Sequence, residues 1–372
     1  MAVLTIEFDN FLCFDNFVAD FTYPKKLVNS SLKNECLKKF PNIRVRKANI
    51  IIGSNASGKT SFGRAIWHVF MFLKNKEAIK ITSLIKNVNK DTNILMDYID
   101  ADGLFSRIEI LAKANNQGID VKIRQLEAKP NDTYEMLVKR LPNDVLFENY
   151  IVALEKIIPL GWNFVFPSIE SGGFELIYCD FIKEEEKPLF CKIFKNVLII
   201  MDVSIKTVYP SNEVENSYII VFVDNTKIHI SHGDKINEIK KLSSGTKYAA
   251  NIAQILFCIS KYKNGFYFVD EQFSYVNSDI EIACLSKMIS LLGDSEQLFF
   301  TTHNTEILNL NLPIHSFNFL VKEKNEDGVQ IKWLNASQFE KRNNVRIKNL
   351  YDNNYFDISP NVNPIFDIGE SC

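Results

Sequence analysis

The pattern of hydrophobic and polar positions divides the chain into a front, a middle and a rear part. In the front part, partial alternation of apolar and polar residues over Val3–Phe8 and Phe17–Phe21 predicts two half-buried strands. The mostly apolar run Ala48–Ile52 predicts a buried strand, and Ser61–Leu73 predicts a helix. The polar, lysine-rich stretch Pro24–Asn42 predicts a loop or a short helix.

The middle part, residues 77–237, mixes short strands and helices. Three strands of a meander are predicted, because turn residues separate three runs of strand-forming residues: Ile94–Ile99, Leu104–Ala112 and Ile119–Leu126. The same part contains predicted helices at Tyr134–Leu141, at Phe147–Ile158 and within Ile182–Met201, and a predicted hairpin of Ser217–Val223 with Lys227–Ser231.

In the rear part, helical patterns alternate with buried strands. Helices are predicted at Tyr248–Lys261 and Ile280–Leu292, and strands at Phe266–Val269 and Leu298–Thr302. Such alternation indicates a parallel sheet with helices on both faces. The predicted fold is therefore α/β, with a mostly parallel sheet and flanking helices, an N-terminal antiparallel β element and an inserted α+β region.

We predict a split α/β domain made of residues 1–76 and 238–355. An inserted region, 77–237, would serve in interaction or oligomerisation, and residues 356–372 would form a C-terminal tail. The chain end from Asn353, rich in Asn, Pro and Asp, is expected to be loosely ordered.

Composition bounds the class of protein. The 372 residues suffice for one large or two medium domains, and a hydrophobic fraction of 46% allows a sizeable core. A net charge of −2 argues against a dedicated nucleic-acid binder, although it leaves room for a local basic groove. Met1–Asp9 has no basic n-region, and no apolar run reaches the roughly 18 residues of a membrane helix, so a cytoplasmic protein is expected.

Cysteine and histidine usage does not predict a metal site. The seven cysteines are scattered without a C-x-x-C pair, which indicates reduced thiols rather than a disulfide framework or a zinc site. His229 and His232 are three residues apart without further ligands nearby, which indicates the end of a strand.

A glycine-rich loop between a predicted strand and a predicted helix carries the clearest chemistry. It fits the phosphate-binding pattern G-x-x-x-x-G-K-S/T, so that ATP is the expected ligand and Mg²⁺ its companion. Backbone N–H groups would curl around phosphate oxygens, Lys59 would reach the β- and γ-phosphates, and the Thr60 hydroxyl would ligate Mg²⁺. The predicted nucleotide-binding residues are Gly53, Ser54, Asn55, Ala56, Ser57, Gly58, Lys59, Thr60 and Ser61. A chance glycine-rich turn is the alternative, and the flanking elements argue against it.

A second motif is the buried run Phe266–Val269, which leads into Asp270 and Glu271. An aspartate that ends a buried strand is placed to support Mg²⁺ beside the loop, and the following carboxylate is placed to polarise a water as a general base. The alternative is an ordinary strand that ends in a charged turn.

Two weaker motifs complete the set. Ser243, Ser244 and Gly245 stand before a predicted helix and would form a second anion site, although a plain helix cap is the favoured explanation when the motif is considered alone. His303 follows a buried strand, at the edge of the sheet where ligands bind, and would hydrogen-bond a γ-phosphate. A structural histidine is the alternative.

In this order and at these separations, the motifs resemble those of the ABC-class ATPases, in particular the soluble SMC, RecF and OLD-like branch. The opening, with Leu4–Ile6, Asn10, Phe11 and Phe14, is similar to the start of RecF-like chains. Within this branch the chain is most similar to the compact AAA-type ATPases of bacterial anti-phage operons, which include the ATPase of the PARIS system. The resemblance covers residues 1–75 and 238–355.

The resemblance implies a head-to-tail dimer in which each nucleotide lies between the P-loop of one subunit and the Ser244–Gly245 segment of the other. Asp270 would support Mg²⁺, and Lys59, Glu271 and His303 would form the catalytic set, with Ser274–Asp279 in the dimer contact. It also implies a slow ATPase that acts as a sensor, guard or regulatory scaffold in anti-phage defence. Such a protein would control a partner effector, a nuclease or a toxin, through ATP-dependent oligomerisation.

The chain departs from the family pattern at two points. No glutamine lies between Thr60 and Asn116, where one that contacts Mg²⁺ is often found, and Gln117 and Gln125 are late candidates. The loop after Glu271 lacks the usual proline.

Two other functions match parts of the sequence. A RecF- or SMC-like DNA repair ATPase would need a basic surface, for which Lys139–Arg140, Lys235–Lys241 and Lys341–Lys348 are candidates. The nucleotide-binding subunit of a transporter is disfavoured by the long interval between Thr60 and Leu242.

Overall fold

The structure is a computed structural model, and it describes all residues except 24–29, 33–34, 144–149, 156–161, 168–173, 178–181, 214–216, 232–243, 262–264, 275, 326–327, 343–344, 359–364 and 367–372. The strands are β1 Ala2–Asp9, β2 Phe17–Asp20, β3 Cys36–Leu37, β4 Phe40–Arg44, β5 Ala48–Ile52, β6 Thr92–Ile99, β7 Leu104–Ala112, β8 Ile119–Glu127, β9 Trp162–Pro167, β10 Phe174–Ile177, β11 Ile205–Pro210, β12 Ser217–Phe222, β13 Lys227–Ser231, β14 Phe266–Asp270, β15 Gln297–Thr302, β16 Phe317–Asn325 and β17 Gly328–Asn335. The helices are α1 Lys59–Asn75, α2 Ile79–Thr82, α3 Tyr134–Arg140, α4 Tyr150–Glu155, α5 Lys187–Met201, α6 Ser244–Lys261, α7 Ser278–Leu291, α8 Ala336–Phe339 and α9 Ile347–Asp352.

The central sheet has seven strands in the order β10-β9-β14-β15-β5-β16-β17. Its five inner strands, from β9 to β16, run parallel, and the two edge strands pair antiparallel to their neighbours. Every residue of β5, β14 and β15 is buried, because helices cover both faces of this part of the sheet and only continuous apolar runs suit such strands. The predicted α/β class with a mostly parallel sheet is confirmed.

A second sheet is antiparallel and has the order β2-β1-β6-β7-β8. The predicted meander is confirmed as β6–β8, and β6 pairs with β1 from Ala2↔Ile99 to Asp9↔Asn93. Strands from residues 77–237 thus join β1 in this sheet and, through β9, join β14 in the central one. The division of the chain into a split domain and an insertion stays a prediction.

The structure also contains a small three-stranded sheet and a two-stranded hairpin. The predicted hairpin is confirmed as β12 and β13, with β11 beside β12. The expectation of a loop or short helix over Pro24–Asn42 was wrong at its end, because β3 and the start of β4 form a two-stranded hairpin there. Leu37 and Phe40 supply the reason, since both are buried in a cluster with Leu4.

The two faces of the central sheet bury two apolar cores. Along β14, Phe266 and Phe268 lie in the core shared with α1 and β1, whereas Tyr267 and Val269 lie in the core shared with α5, α6 and α7. Burial of one such large side chain stabilises the fold by about 1.5–3 kcal/mol. Packing into the two cores therefore fixes the position of each strand in the sheet, and with it the place where the strand ends.

The chain end is more ordered than its composition suggests. Phe356 is buried, and its ring lies 4.8 Å from that of Phe319. The expectation of loose order from Asn353 was thus wrong at Phe356, and much of the remaining tail lies outside the described residues. Within the described part of the chain, no helix has the length and apolar character needed to cross a membrane.

Candidate functional site

Three adjacent strands, β14, β15 and β5, bring the sequence motifs to one edge of the central sheet. The glycine-rich loop follows β5 and leads into α1, Asp270 is the last residue of β14, and His303 follows β15. Because the strands are parallel, their carboxyl ends meet at the same edge. The glycine-rich loop is therefore a neighbour of Asp270 and His303, although it lies more than 200 residues before them in the sequence.

The backbone of the glycine-rich loop turns sharply around a small space. Ala56 and Gly58 have left-handed φ angles of 61° and 102°. A Cβ atom on Gly53 would lie 2.3 Å from Ser57 Oγ and 2.8 Å from the carbonyl oxygen of Leu320, so no larger residue fits there. Ser57 is buried, and its hydroxyl has no hydrogen-bond partner among the described residues. This curled backbone and buried hydroxyl suit an anion.

Lys59 connects the loop to the carboxylate after β14. Its Nζ donates to the carbonyl oxygens of Gly53 at 2.9 Å and Ser54 at 3.2 Å, and it lies 3.3 Å from Glu271 Oε1. It also lies 3.4 Å from His303 Nδ1. Burial lowers the pKa of Lys59, and the charge of Glu271 opposes this effect. The Lys59 cation therefore lies inside the loop that it helps to form.

Asp270 is buried between two hydroxyl donors. Thr60 Oγ1 donates to Oδ2 at 2.6 Å, and Thr301 Oγ1 donates to Oδ1 at 2.5 Å. Burial raises the pKa of Asp270 to about 6, although both hydrogen bonds favour the charged form. A hydroxyl beside a carboxylate is a suitable start for a Mg²⁺ site, since Mg²⁺ prefers oxygen ligands.

No set of three or more His, Cys, Asp or Glu able to hold a metal occurs in the part of the chain that the structure describes. A Mg²⁺ at Thr60 and Asp270 would therefore take its remaining ligands from phosphate oxygens and water, as Mg²⁺ commonly does. The residues present fit ATP together with Mg²⁺ better than Mg²⁺ alone.

Glu271 is held by both its backbone and its side chain. Its φ of 45° is uncommon outside glycine, and its N–H donates to Thr301 Oγ1 at 3.1 Å. Its Oε1 lies 2.8 Å from His303 Nε2. Burial alone would raise the pKa of Glu271, but the hydrogen bond to His303 and the charge of Lys59 lower it. The carboxylate is therefore ionised at neutral pH and able to accept a proton.

The Ser-Ser-Gly motif is only partly described. Helix α6 begins at Ser244, so Gly245 lies in its first turn, whereas Ser243 and the residues before it lie outside the described range. The anion site predicted for this motif stays a prediction. Ser61, the last residue of the predicted nucleotide-binding set, lies in the first turn of α1 and hydrogen-bonds the Cys13 thiol.

Neither late glutamine lies at the carboxyl edge of the central sheet. Gln117 is exposed in the turn between β7 and β8, and Gln125 in β8 donates to Ser106 Oγ at 3.0 Å. Sequence reasoning also missed two residues that the structure places here, Thr301 and Glu281. A pair of threonines at the end of a buried strand was the available signal for Thr301.

The basic runs proposed for DNA are partly neutralised. Arg140 contacts Asp132 at 2.6 Å, Arg342 contacts Glu340 at 2.6 Å, and Lys348 contacts Asp352 at 2.7 Å. The run Lys235–Lys241 lies outside the described residues.

Comparison with known proteins identifies the fold. No protein-family model matches the sequence, and no curated protein matches it. The structure resembles the SmcHead bound to the C-winged helix domain of ScpA, with a TM-score of 0.50 and 14% identity over 92% of this chain and 100% of that one. It also resembles the Smc head domain with an extended coiled coil bound to the C-terminal domain of ScpA, derived from Pyrococcus furiosus, with a TM-score of 0.50 and 11% identity over 91% of this chain and 97% of that one. The chain has the fold of SMC head domains, which is the ABC-class ATPase fold.

Proposed function

We propose that the protein binds ATP with Mg²⁺ and hydrolyses it. The observation that carries this proposal is the contact of Lys59 with Glu271 and of Thr60 with Asp270 at one edge of the sheet. A phosphate-binding loop, a carboxylate suited to Mg²⁺ and an ionised carboxylate that can act as a base are the parts that phosphoryl transfer to water requires.

Each residue has a distinct role in this proposal. The backbone from Gly53 to Ser61 surrounds the phosphates, and Lys59 exchanges part of its contact with Glu271 for phosphate oxygens. Thr60 and Asp270 hold Mg²⁺, which neutralises phosphate charge when it is bound. Glu271 accepts the proton of the attacking water, and His303 donates to the γ-phosphate.

We further propose that two subunits assemble head to tail, with Ser243, Ser244 and Gly245 of one subunit completing the site of the other. The side chains of Glu271 and His303 are 22% and 38% exposed, so the site opens to the surface, where a second subunit can reach it. Assembly would then depend on ATP, since the nucleotide would lie between the subunits.

At the level of the cell, we propose a cytoplasmic sensor, guard or regulatory scaffold of an anti-phage system that controls an effector protein by ATP-dependent oligomerisation. The motif resemblance to anti-phage ATPases supports this role, and SMC heads of similar fold bind a partner protein, ScpA. The alternative of a DNA-clamping repair ATPase has less support, because ion pairs with nearby carboxylates partly neutralise the described basic runs.

Four measurements test this function. Phosphate release from ATP with Mg²⁺ tests hydrolysis, and light scattering of Glu271→Gln with and without ATP tests assembly. We expect ATP-dependent doubling of the mass. Duplex DNA binding with a steep salt dependence would favour the repair alternative, whereas an effector encoded alongside that co-purifies with the protein would favour the defence role.

A further inference from the structure

A buried carboxylate outside the predicted site joins the two residues that flank His303. Glu281 lies on α7 and is 3% exposed. Its Oε1 accepts a hydrogen bond of 2.7 Å from Thr302 Oγ1, and its Oε2 accepts one of 2.7 Å from Asn304 Nδ2. Glu281 therefore holds the chain on both sides of His303.

Burying the Glu281 carboxylate costs more free energy than burying an apolar side chain at the same position would. Burial raises the pKa of Glu281, because a carboxylate in an apolar surrounding loses its hydration. Its neighbours on α7, Cys284 and Leu285, are buried and apolar, so an apolar side chain would also suit this face of the helix. What the carboxylate provides in place of apolar packing is the pair of hydrogen bonds to Thr302 and Asn304, which offset part of this cost.

The position of α7 suggests what these hydrogen bonds do. The helix begins just after the loop that follows Glu271, and Asn277 caps it by accepting from the N–H of Asp279 at 2.8 Å. Within the loop, Ser274 Oγ donates to the carbonyl oxygen of Glu271 at 3.0 Å. A displacement of this loop would move the first turn of α7 and, with it, Glu281.

We propose that Glu281 is a positioning residue for His303. It fixes the segment Thr302–Asn304 so that His303 Nε2 contacts Glu271, and it transmits movements of the loop after Glu271 to His303. This inference rests on the proposed ATPase function, since the position of His303 affects a reaction only if the site hydrolyses ATP.

Substitutions at Glu281 separate positioning from stability. Glu281→Leu removes both acceptors, and we expect kcat for ATP hydrolysis to fall at least tenfold while KM changes less than twofold. Glu281→Gln is the conservative rescue, because its amide oxygen can accept from Asn304 and its NH₂ can donate to the Thr302 hydroxyl. We expect its kcat to stay within about threefold of the wild-type value.

A matched control lies at the amino end of β15, the strand whose carboxyl end leads into His303. Glu296 is buried just before β15, where its Oε1 accepts from the Tyr267 hydroxyl at 3.1 Å. Glu296→Leu should lower the melting temperature and leave kcat unchanged. If Glu281→Leu does not fold, Thr302→Val tests the same link, because it removes one of the two hydrogen bonds to Glu281 at nearly constant side-chain volume. We expect kcat to fall in this variant as well, but by less than in Glu281→Leu.

The outcomes distinguish the two proposals. Wild-type kcat in a folded Glu281→Leu or Thr302→Val variant would overturn the positioning role and leave the ATPase function intact. Equal losses of kcat in Glu281→Leu and Glu296→Leu would also overturn it, because they would indicate general destabilisation. A wild-type protein that does not hydrolyse ATP would overturn the proposed function and this role together.

Discussion

Lys59 and Glu271 form an ion pair of 3.3 Å between the glycine-rich loop and the end of β14. The ring of His303 contacts both, with Nδ1 3.4 Å from Lys59 Nζ and Nε2 2.8 Å from Glu271 Oε1. The three side chains therefore form one coupled group. In the proposed mechanism, phosphate oxygens compete with Glu271 for Lys59, and this competition frees Glu271 to act on water.

Loss of the Lys59 charge should weaken nucleotide binding strongly. In Lys59→Ala, the phosphates lose the cation that the loop surrounds, and we expect ATP affinity to fall at least tenfold in equilibrium binding. Lys332→Ala is the control, since Lys332 is an exposed cation paired with Glu323 on the β16–β17 hairpin. An unchanged ATP affinity in Lys59→Ala would remove the phosphate-binding role of the loop.

Glu271→Gln should separate binding from hydrolysis. The amide keeps the shape of the side chain but cannot accept the proton of water, and general base catalysis is worth roughly 10²–10⁴-fold. We expect phosphate release to fall by at least ~100-fold while ATP is retained. Glu306→Gln, at a half-exposed carboxylate near Lys348, is the control and should hydrolyse normally. A Glu271→Gln protein with wild-type turnover would show that another group is the base.

Asp270→Asn should stabilise the protein while it removes function. The rise in the pKa of Asp270 from 3.8 to about 6 corresponds to ~3 kcal/mol that the ionised form costs the folded state. This cost is complete above about pH 6, where the group is ionised in both folded and unfolded chains. It declines as the pH falls from about 6 to 3.8 and vanishes below 3.8, where both are protonated.

We therefore expect Asp270→Asn to raise the free energy of unfolding at pH 8 by ~1–3 kcal/mol, with a gain that shrinks as the pH is lowered. Thermal unfolding across this pH range measures the effect, and Mg²⁺-dependent ATP binding should be lost in the same variant. A stability change that is equal at pH 8 and pH 5 would contradict the assigned cause.

Gly63→Ala should destabilise the protein although alanine favours helices. A Cβ atom at this position of α1 would lie 2.3 Å from Phe268 Cε1 in β14. The helix propensity gained is only ~1 kcal/mol, whereas overpacking costs about 1–3 kcal/mol. Denaturant unfolding of Gly63→Ala, Phe268→Leu and the double variant measures the coupling. The penalty of Gly63→Ala should shrink in the Phe268→Leu background, and an equal penalty in both would exclude the Phe268 ring as its cause.

The sequence predicted those parts of the fold whose pattern is local. Continuous apolar runs mark β5, β14 and β15, and the glycine-rich loop marks the start of α1, because buried parallel strands and sharp turns each demand particular residues. The hairpin of β16 and β17 was not predicted, since Lys322 and Lys324 make β16 resemble an exposed segment although it pairs with β5.

The parts of the site that depend on contacts between elements far apart in the sequence were also not predicted. Nothing near Trp162 indicates that β9 lies beside β14. Thr301 becomes a partner of Asp270 only because β15 is adjacent to β14. Glu281 is one acidic residue among many until α7 brings it to the His303 segment.

The most direct test of the central claim is equilibrium binding of labelled ATP with Mg²⁺, followed by phosphate release, for the wild type, Lys59→Ala and Glu271→Gln. The account predicts ATP bound to the wild type and to Glu271→Gln, little bound to Lys59→Ala, and phosphate released only by the wild type. Equal ATP binding by Lys59→Ala and the wild type would contradict it, as would the absence of binding in all three.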